Sequence, residues 1–101
     1  MYTINIGQDN PFLHQRNTVE LTLVYALRYI GGVRQIRISQ DGDEPTVIIQ
    51  CDFIHDSIAV LATALDQDCI AVYNHSTNTG ELIGDKAEEW GPFNLEFFQF
   101  I

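Results

Sequence analysis

The chain has 101 residues, enough for one hydrophobic core and too few for two, so residues 1–101 are expected to form a single domain. Apolar residues make up 46% of it and charged residues 19%, which excludes a disordered chain, and Arg28, Asp52 and Asp66 break the apolar stretches before the roughly 20 residues of a membrane span. Fourteen acidic residues against five basic ones give a net charge of −9, which opposes binding to phosphate backbones and anionic membranes.

Taken in chain order, Tyr2, Ile4 and Ile6 alternate with polar residues and predict a strand. Residues 7–15, with Asn10-Pro11, read as a loop. A helix is expected over 18–30, with Asn17 as its cap and Glu20 completing a capping box. Leu23, Val24, Leu27 and Ile30 form its apolar stripe, and Gly31-Gly32 ends it. A hairpin follows, with arms at 33–39 and 46–52 and turn residues at 40–45. Ile36 and Ile38 share one face of it; Val47, Ile49 and Cys51 share another. A second helix is expected over 54–65, carried by Ile54, Ile58, Leu61, Ala62 and Leu65, with Asp52 as candidate cap and Asp56 favouring the helix dipole. Residues 69–73 predict a fourth strand.

The order strand, helix, strand, strand, helix, strand predicts an α+β fold of ferredoxin-like βαββαβ type: an antiparallel sheet with both helices on one face. Beyond Asn74 lies a C-terminal aromatic extension. Residues 76–80 read as a turn, 81–83 as a short strand and 85–90 as a helical turn. Two helices cover only one sheet face, so Phe93, Phe97, Phe98 and Phe100 are expected to fold over the other or, failing that, to anchor a partner.

Met1-Tyr-Thr-Ile-Asn lacks the basic start and apolar run of a signal peptide, so a cytosolic location with free Cys51 and Cys69 is expected. Cys51, His55, Cys69 and His75 are zinc-ligand types, but their spacing fits no common zinc module, and buried thiols serve equally as small hydrophobes. Asp41, Asp43 and Glu44 lack the EF-hand spacing and read as a solvated turn. No nucleophile signature accompanies His14, His55 or His75, and no phosphate-cradling loop is present, so neither a catalytic residue nor a cofactor is expected. The inferred fold is shared with the RNA-recognition motif, yet only Tyr2 echoes its stacking aromatics, and the third strand, Thr-Val-Ile-Ile-Gln-Cys, lacks them. Arg28, Arg34 and Arg37 are read as partners for local acids.

Charge is unevenly placed: residues 1–50 carry −1 and residues 51–101 carry −8. Asp66, Asp68, Asp85, Glu88 and Glu89, together with Trp90, are therefore the candidate interaction residues, and the expected partner is a basic protein surface, such as that of a nucleic-acid-binding protein or complex, with no direct contact to nucleic acid or membrane. A plainly solubilising surface is the simpler reading of the same residues. A small metal-dependent regulator or enzyme using Cys51, His55, Cys69 and His75 is one alternative. The other is a structural accessory protein, a homodimer through the uncovered sheet face.

The stretches Gln67-Asp-Cys-Ile-Ala-Val-Tyr, Gly80-Glu-Leu-Ile-Gly and Glu89-Trp-Gly-Pro-Phe-Asn, spanning about a third of the chain, resemble small uncharacterised proteins of bacteriophages and prophages. Size, acidity and absence of a catalytic signature are also similar, by type alone, to phage-encoded inhibitors of host defence such as anti-CRISPR proteins. That similarity implies an acidic surface that occupies a basic nucleic-acid channel; it carries over no functional residue.

Overall fold

The structure is a computed structural model that describes residues 1–7, 16–40, 46–65 and 67–101, with the backbone alone for 16–19. In chain order its elements are β1 (Tyr2–Gly7), α1 (Arg16–Ala26), β2 (Ile30–Gly31), β3 (Gln35–Ser39), β4 (Thr46–Cys51), β5 (Phe53–Ile54), α2 (Ala59–Ala64), β6 (Ile70–Asn74) and β7 (Thr79–Ile83). A single turn of 3-10 helix, Leu95–Phe97, follows. Five strands form one sheet in the order β3-β4-β1-β6-β7, every neighbouring pair antiparallel, while β2 and β5 make a separate short ribbon. The expected Asn10-Pro11 loop, the turn acids Asp41, Asp43 and Glu44, and Asp66 fall outside the described residues, as does the Asn17 side chain.

Alternation along β1 sends Tyr2, Ile4 and Ile6 to one face. Ile4 lies opposite Ile49 on one side and Val72 on the other. These residues, with Val47, Cys51 and Ile70, build a buried core that also contains Ala26 near the end of α1 and Ile58, Leu61, Ala62 and Leu65 around α2; Leu23 packs against its edge. The two faces assigned to the hairpin are in fact one. Ile36 pairs with Ile49 and Ile38 with Val47, so all five apolar residues point to the helix side.

Both helices are shorter than their apolar spacing predicts. α1 stops at Ala26, and the chain tightens through Arg28 N–H to Tyr25 O (3.2 Å) and Tyr29 N–H to Ala26 O (2.9 Å). Ile30 then leaves the helix to pair with Ile54, and His55 N–H donates to Tyr29 O at 2.7 Å. That pairing removes both Ile30 from the first helix and Ile54 from the second. The expected stripe turns accordingly: Val24 and Leu27 are 54% and 55% exposed, and Thr22 and Ala26 take the buried positions. Asp52 does not cap α2, whose N-cap position is Ile58 with no side-chain cap; it binds Arg34 Nε at 2.7 Å instead. Arg28 lies 5.3 Å from the centroid of the Tyr25 ring.

The second sheet face is covered by the C-terminal segment. Asn5, 9% exposed at the centre of the sheet, donates from Nδ2 to Gln99 O at 2.8 Å and accepts from Gln99 N–H at 2.7 Å. A side-chain amide thus pairs with the tail as a neighbouring strand would. The same face presents Tyr73, whose ring lies 6.2, 6.0 and 5.3 Å from those of Phe93, Phe98 and Phe100. A methyl group at Gly80 would run into the Phe93 ring, so β7 needs glycine where the tail crosses it. Phe98 is buried, whereas Phe97 is 80% exposed, so the aromatic residues divide between core and surface.

Asn5→Ala removes both hydrogen bonds and leaves the Gln99 backbone groups without these partners. It should lower stability by about 1–3 kcal/mol, read from the urea midpoint. An unchanged midpoint would show that the tail is not held through Asn5.

Candidate interaction site

The acidic residues sit on a turn that the backbone pins in place. β7 ends at Ile83, and Gly84 reverses the chain with φ of 143°, a conformation that favours glycine. A Cβ there would stand 2.5 Å from the carbonyl oxygen of Asp68. Lys86 N–H donates to that same oxygen at 3.1 Å, so the 84–91 turn is held against the segment entering β6. Trp90 N–H donates to Lys86 O at 3.0 Å, and Gly91, at φ of 78°, ends the turn. The expected helical turn over 85–90 is a run of hydrogen-bonded turns.

This pinning joins Asp68 to the stretch that carries Asp85, Glu88, Glu89 and Trp90. All four acids are exposed, and Trp90 is 54% exposed. Lys86 Nζ lies 3.3 Å from Glu89 Oε2; among the described residues the other ion pair is Arg34–Asp52. A surface pair of this kind leaves the negative field of the turn largely intact.

Beside the turn, between the second sheet face and residues 90–99, lies a cavity of about 680 Å³. Its walls include Gln67, Cys69, Trp90, Phe93, Phe97 and Phe98. Among the described residues no charged side chain lines it. The sequence reading missed it, because it exists only where the tail crosses the sheet. Trp90 stands among the candidate interaction residues through its acidic neighbours; nothing in the sequence signals its place in the cavity wall.

Cys51, His55, Cys69 and His75 do not come together, and no group of three or more metal-ligand side chains is assembled among the described residues. Cys51 is buried in the helix-side core; Cys69 lines the cavity on the opposite side. His75 Nε2 meets Thr3 Oγ1 at 2.6 Å. His55 Nδ1 accepts from Ser57 N–H at 3.1 Å and lies 2.7 Å from Ser57 Oγ. That Ser–His pair is closed within one turn, and among the described residues no hydrogen bond to the other ring nitrogen orients the imidazole as a general base requires. Tyr2 packs against the helix-side core and is not displayed as a stacking platform.

Burial pushes the Cys51 thiol up from 9.0 to about 11, with a smaller contribution from the Asp52 charge. Below pH 9 the thiol is protonated in folded and unfolded chains alike. Above pH 9 the unfolded thiol ionises first, so this group's contribution to stability falls between pH 9 and 11. Iodoacetamide at pH 8 should therefore alkylate the half-buried Cys69 in the native protein and reach Cys51 only on unfolding, as mass spectrometry would show; equal rates at the two sites would contradict this.

Compared with known proteins, the chain matches no family model, no curated protein and no solved structure.

Proposed function

We propose that the protein is a non-enzymatic interaction module whose acidic 84–91 turn, with Asp68 beside it, docks on a basic protein surface. The observation that carries this reading is the pinned turn: four exposed carboxylates, Asp68 among them, and a half-exposed tryptophan on backbone held by hydrogen bonds, with one lysine among them. Fixed charges of one sign raise the encounter rate with an oppositely charged partner, and an exposed aromatic among them supplies an anchor. A basic groove that otherwise binds nucleic acid is the partner this surface suits, and inhibition of such a host-defence complex by a phage protein is the form of the proposal that the sequence resemblance suggests.

The ferredoxin-like arrangement belongs to the same proposal. Its support is the strand order β3-β4-β1-β6 with all neighbours antiparallel, to which β7 and the β2–β5 ribbon would be additions. A homodimer is a second reading, and it shifts from the tail-covered face to the β3 edge, where Ile36 and Ile38 are 40% and 44% exposed.

Replacing Asp85, Glu88 and Glu89 together by Lys should leave folding nearly intact, since exposed substitutions cost about 0.5 kcal/mol or less each. Binding to the partner should weaken, chiefly through the association rate, and raising the salt should slow association of the unaltered protein. An association rate indifferent to both changes would remove the acidic surface from the reading.

A further inference from the structure

The five-stranded sheet ends in two strands that each lack a neighbour on one side. In the order β3-β4-β1-β6-β7 the outer sides of β3 and β7 are open, and among the described residues no backbone hydrogen bond reaches either. Both strands are five residues long, Gln35–Ser39 and Thr79–Ile83. An open edge is a template for a further strand. Each edge carries one charge, at its middle residue: Arg37 on β3 and Glu81 on β7. Both residues are exposed, and neither has an ion pair among the described residues, whereas Arg34 is held by Asp52.

Those charges discriminate between the ways in which two copies can join edge to edge. Laid antiparallel along its full length on a second β3, the strand would set Arg37 opposite Arg37. Two β7 strands would likewise set Glu81 opposite Glu81. Like charges directly opposite are destabilising, and opposite charges there are favourable. Laid antiparallel on β7, β3 sets Arg37 opposite Glu81.

The faces agree with this pairing. Ile36 and Ile38 lie on the helix side with Ile49 and Val47, so Arg37 between them lies on the tail side. Glu81 pairs with Val72 and lies on the helix side. Arg37 of one copy therefore stands beside Glu81 of another only if one copy is turned over about an axis running across the strands. Within one sheet β3 and β7 run in the same direction, because the successive pairings between them are all antiparallel and even in number. Turning one copy over makes them antiparallel, so a single operation satisfies the charges and the strand direction together. In that register Ile36 falls opposite Leu82 and Ile38 opposite Gly80, over which Phe93 lies. Ile36 and Ile38, 40% and 44% exposed, thereby gain apolar neighbours.

We propose that the protein self-associates head to tail, β3 of one copy adding as an antiparallel strand to β7 of the next, with Arg37 opposite Glu81. The contact is heterologous: a β3 edge stays open at one end and a β7 edge at the other, so the sheet continues from copy to copy. The proposal gives the self-association reading a second edge and a register, and it does not rest on the acidic turn.

Sedimentation velocity of the full chain should show species larger than a dimer that grow from micromolar to millimolar concentration and shrink as salt is raised. Arg37→Glu and Glu81→Arg each place like charges in the contact. Each should weaken association about tenfold or more, while Tm of the dilute protein stays unchanged because both residues are exposed. The two single variants mixed in equal amounts should associate again, since each offers the charge that the other lacks. The double variant Arg37→Glu with Glu81→Arg should associate by itself. A variant that merely misfolds would not recover in this way. Protein that stays monomeric at millimolar concentration would overturn the proposal and self-association with it. Growth that stops at a dimer and responds to Arg37→Glu but not to Glu81→Arg would overturn the head-to-tail contact and leave a symmetric β3 pairing. Association lost in both single variants and recovered in neither the mixture nor the double variant would overturn the pairing of Arg37 with Glu81.

Discussion

The pairing of Asn5 with the Gln99 backbone is the interaction on which the second half of the molecule depends. The core on the helix side is built from alternating apolar residues of β1, β4 and β6 against α1 and α2, and that side needs nothing from the tail. The opposite face is different. It presents Thr3 and Asn5 from the central strand, both buried, beside Tyr73 and Ala71 of β6. A polar pair in the middle of a sheet is stable under cover only if the cover brings hydrogen bonds. Gln99 brings two of them to Asn5, and His75 meets Thr3. Once those are made, Phe98 is buried and Phe93 and Phe100 are drawn against Tyr73.

The cover is partial, and its shape explains the candidate site. From Gly91 to Gln99 the chain crosses the sheet as a single strap with one 3-10 turn, not as a helix with a continuous apolar side. One strap cannot fill the width between β1 and β7, and the cavity is the space that remains. Its mouth falls beside the 84–91 turn because both depend on the same stretch of chain: Asp68 O anchors the turn from outside, and Gln67 and Cys69, on either side of it, line the cavity.

The parts of the fold legible in the sequence were those fixed by local pattern. Alternation at Tyr2, Ile4 and Ile6 and at Val47, Ile49 and Cys51 marks β1 and β4, and the turn residues that begin at Ser76 mark the hairpin into β7, although Thr79 and Gly80, read as turn, already belong to that strand. The helix ends were not legible, because Ile30 and Ile54 carry helical spacing within their own segments. Their pairing across 24 residues of chain is a tertiary choice that overrides it. The hairpin faces failed for a related reason: alternation shows that residues share a face within a strand, while the register between strands decides which face that is. At the candidate site, composition marked the acids but not the cavity. Asn5, Gln67 and Gly80 look like ordinary polar and turn residues until the tail is seen lying over them.

The strand order also converts an asymmetry of sequence into one of space. Residues 51–101 carry −8 of the net −9, and β6, β7 and the strap, which belong to that half, form one side of the sheet. At the other edge β3 carries Arg37, and Arg34 just before it pairs with Asp52. Among the described residues, Asp68, Asp85, Glu88 and Glu89 gather beside β6 and β7. A surface whose acids served solubility alone would work as well with its charge spread evenly over both edges. Concentrating it opposes folding through self-repulsion, and at the turn one lysine, Lys86, relieves it. The fold has no structural use for that concentration, since none of Asp68, Asp85, Glu88 or Glu89 supplies a buried side-chain hydrogen bond or an intraprotein ion pair beyond Lys86–Glu89 among the described residues. The proposed basic partner would offset the repulsion that this concentration of charge imposes on the folded chain.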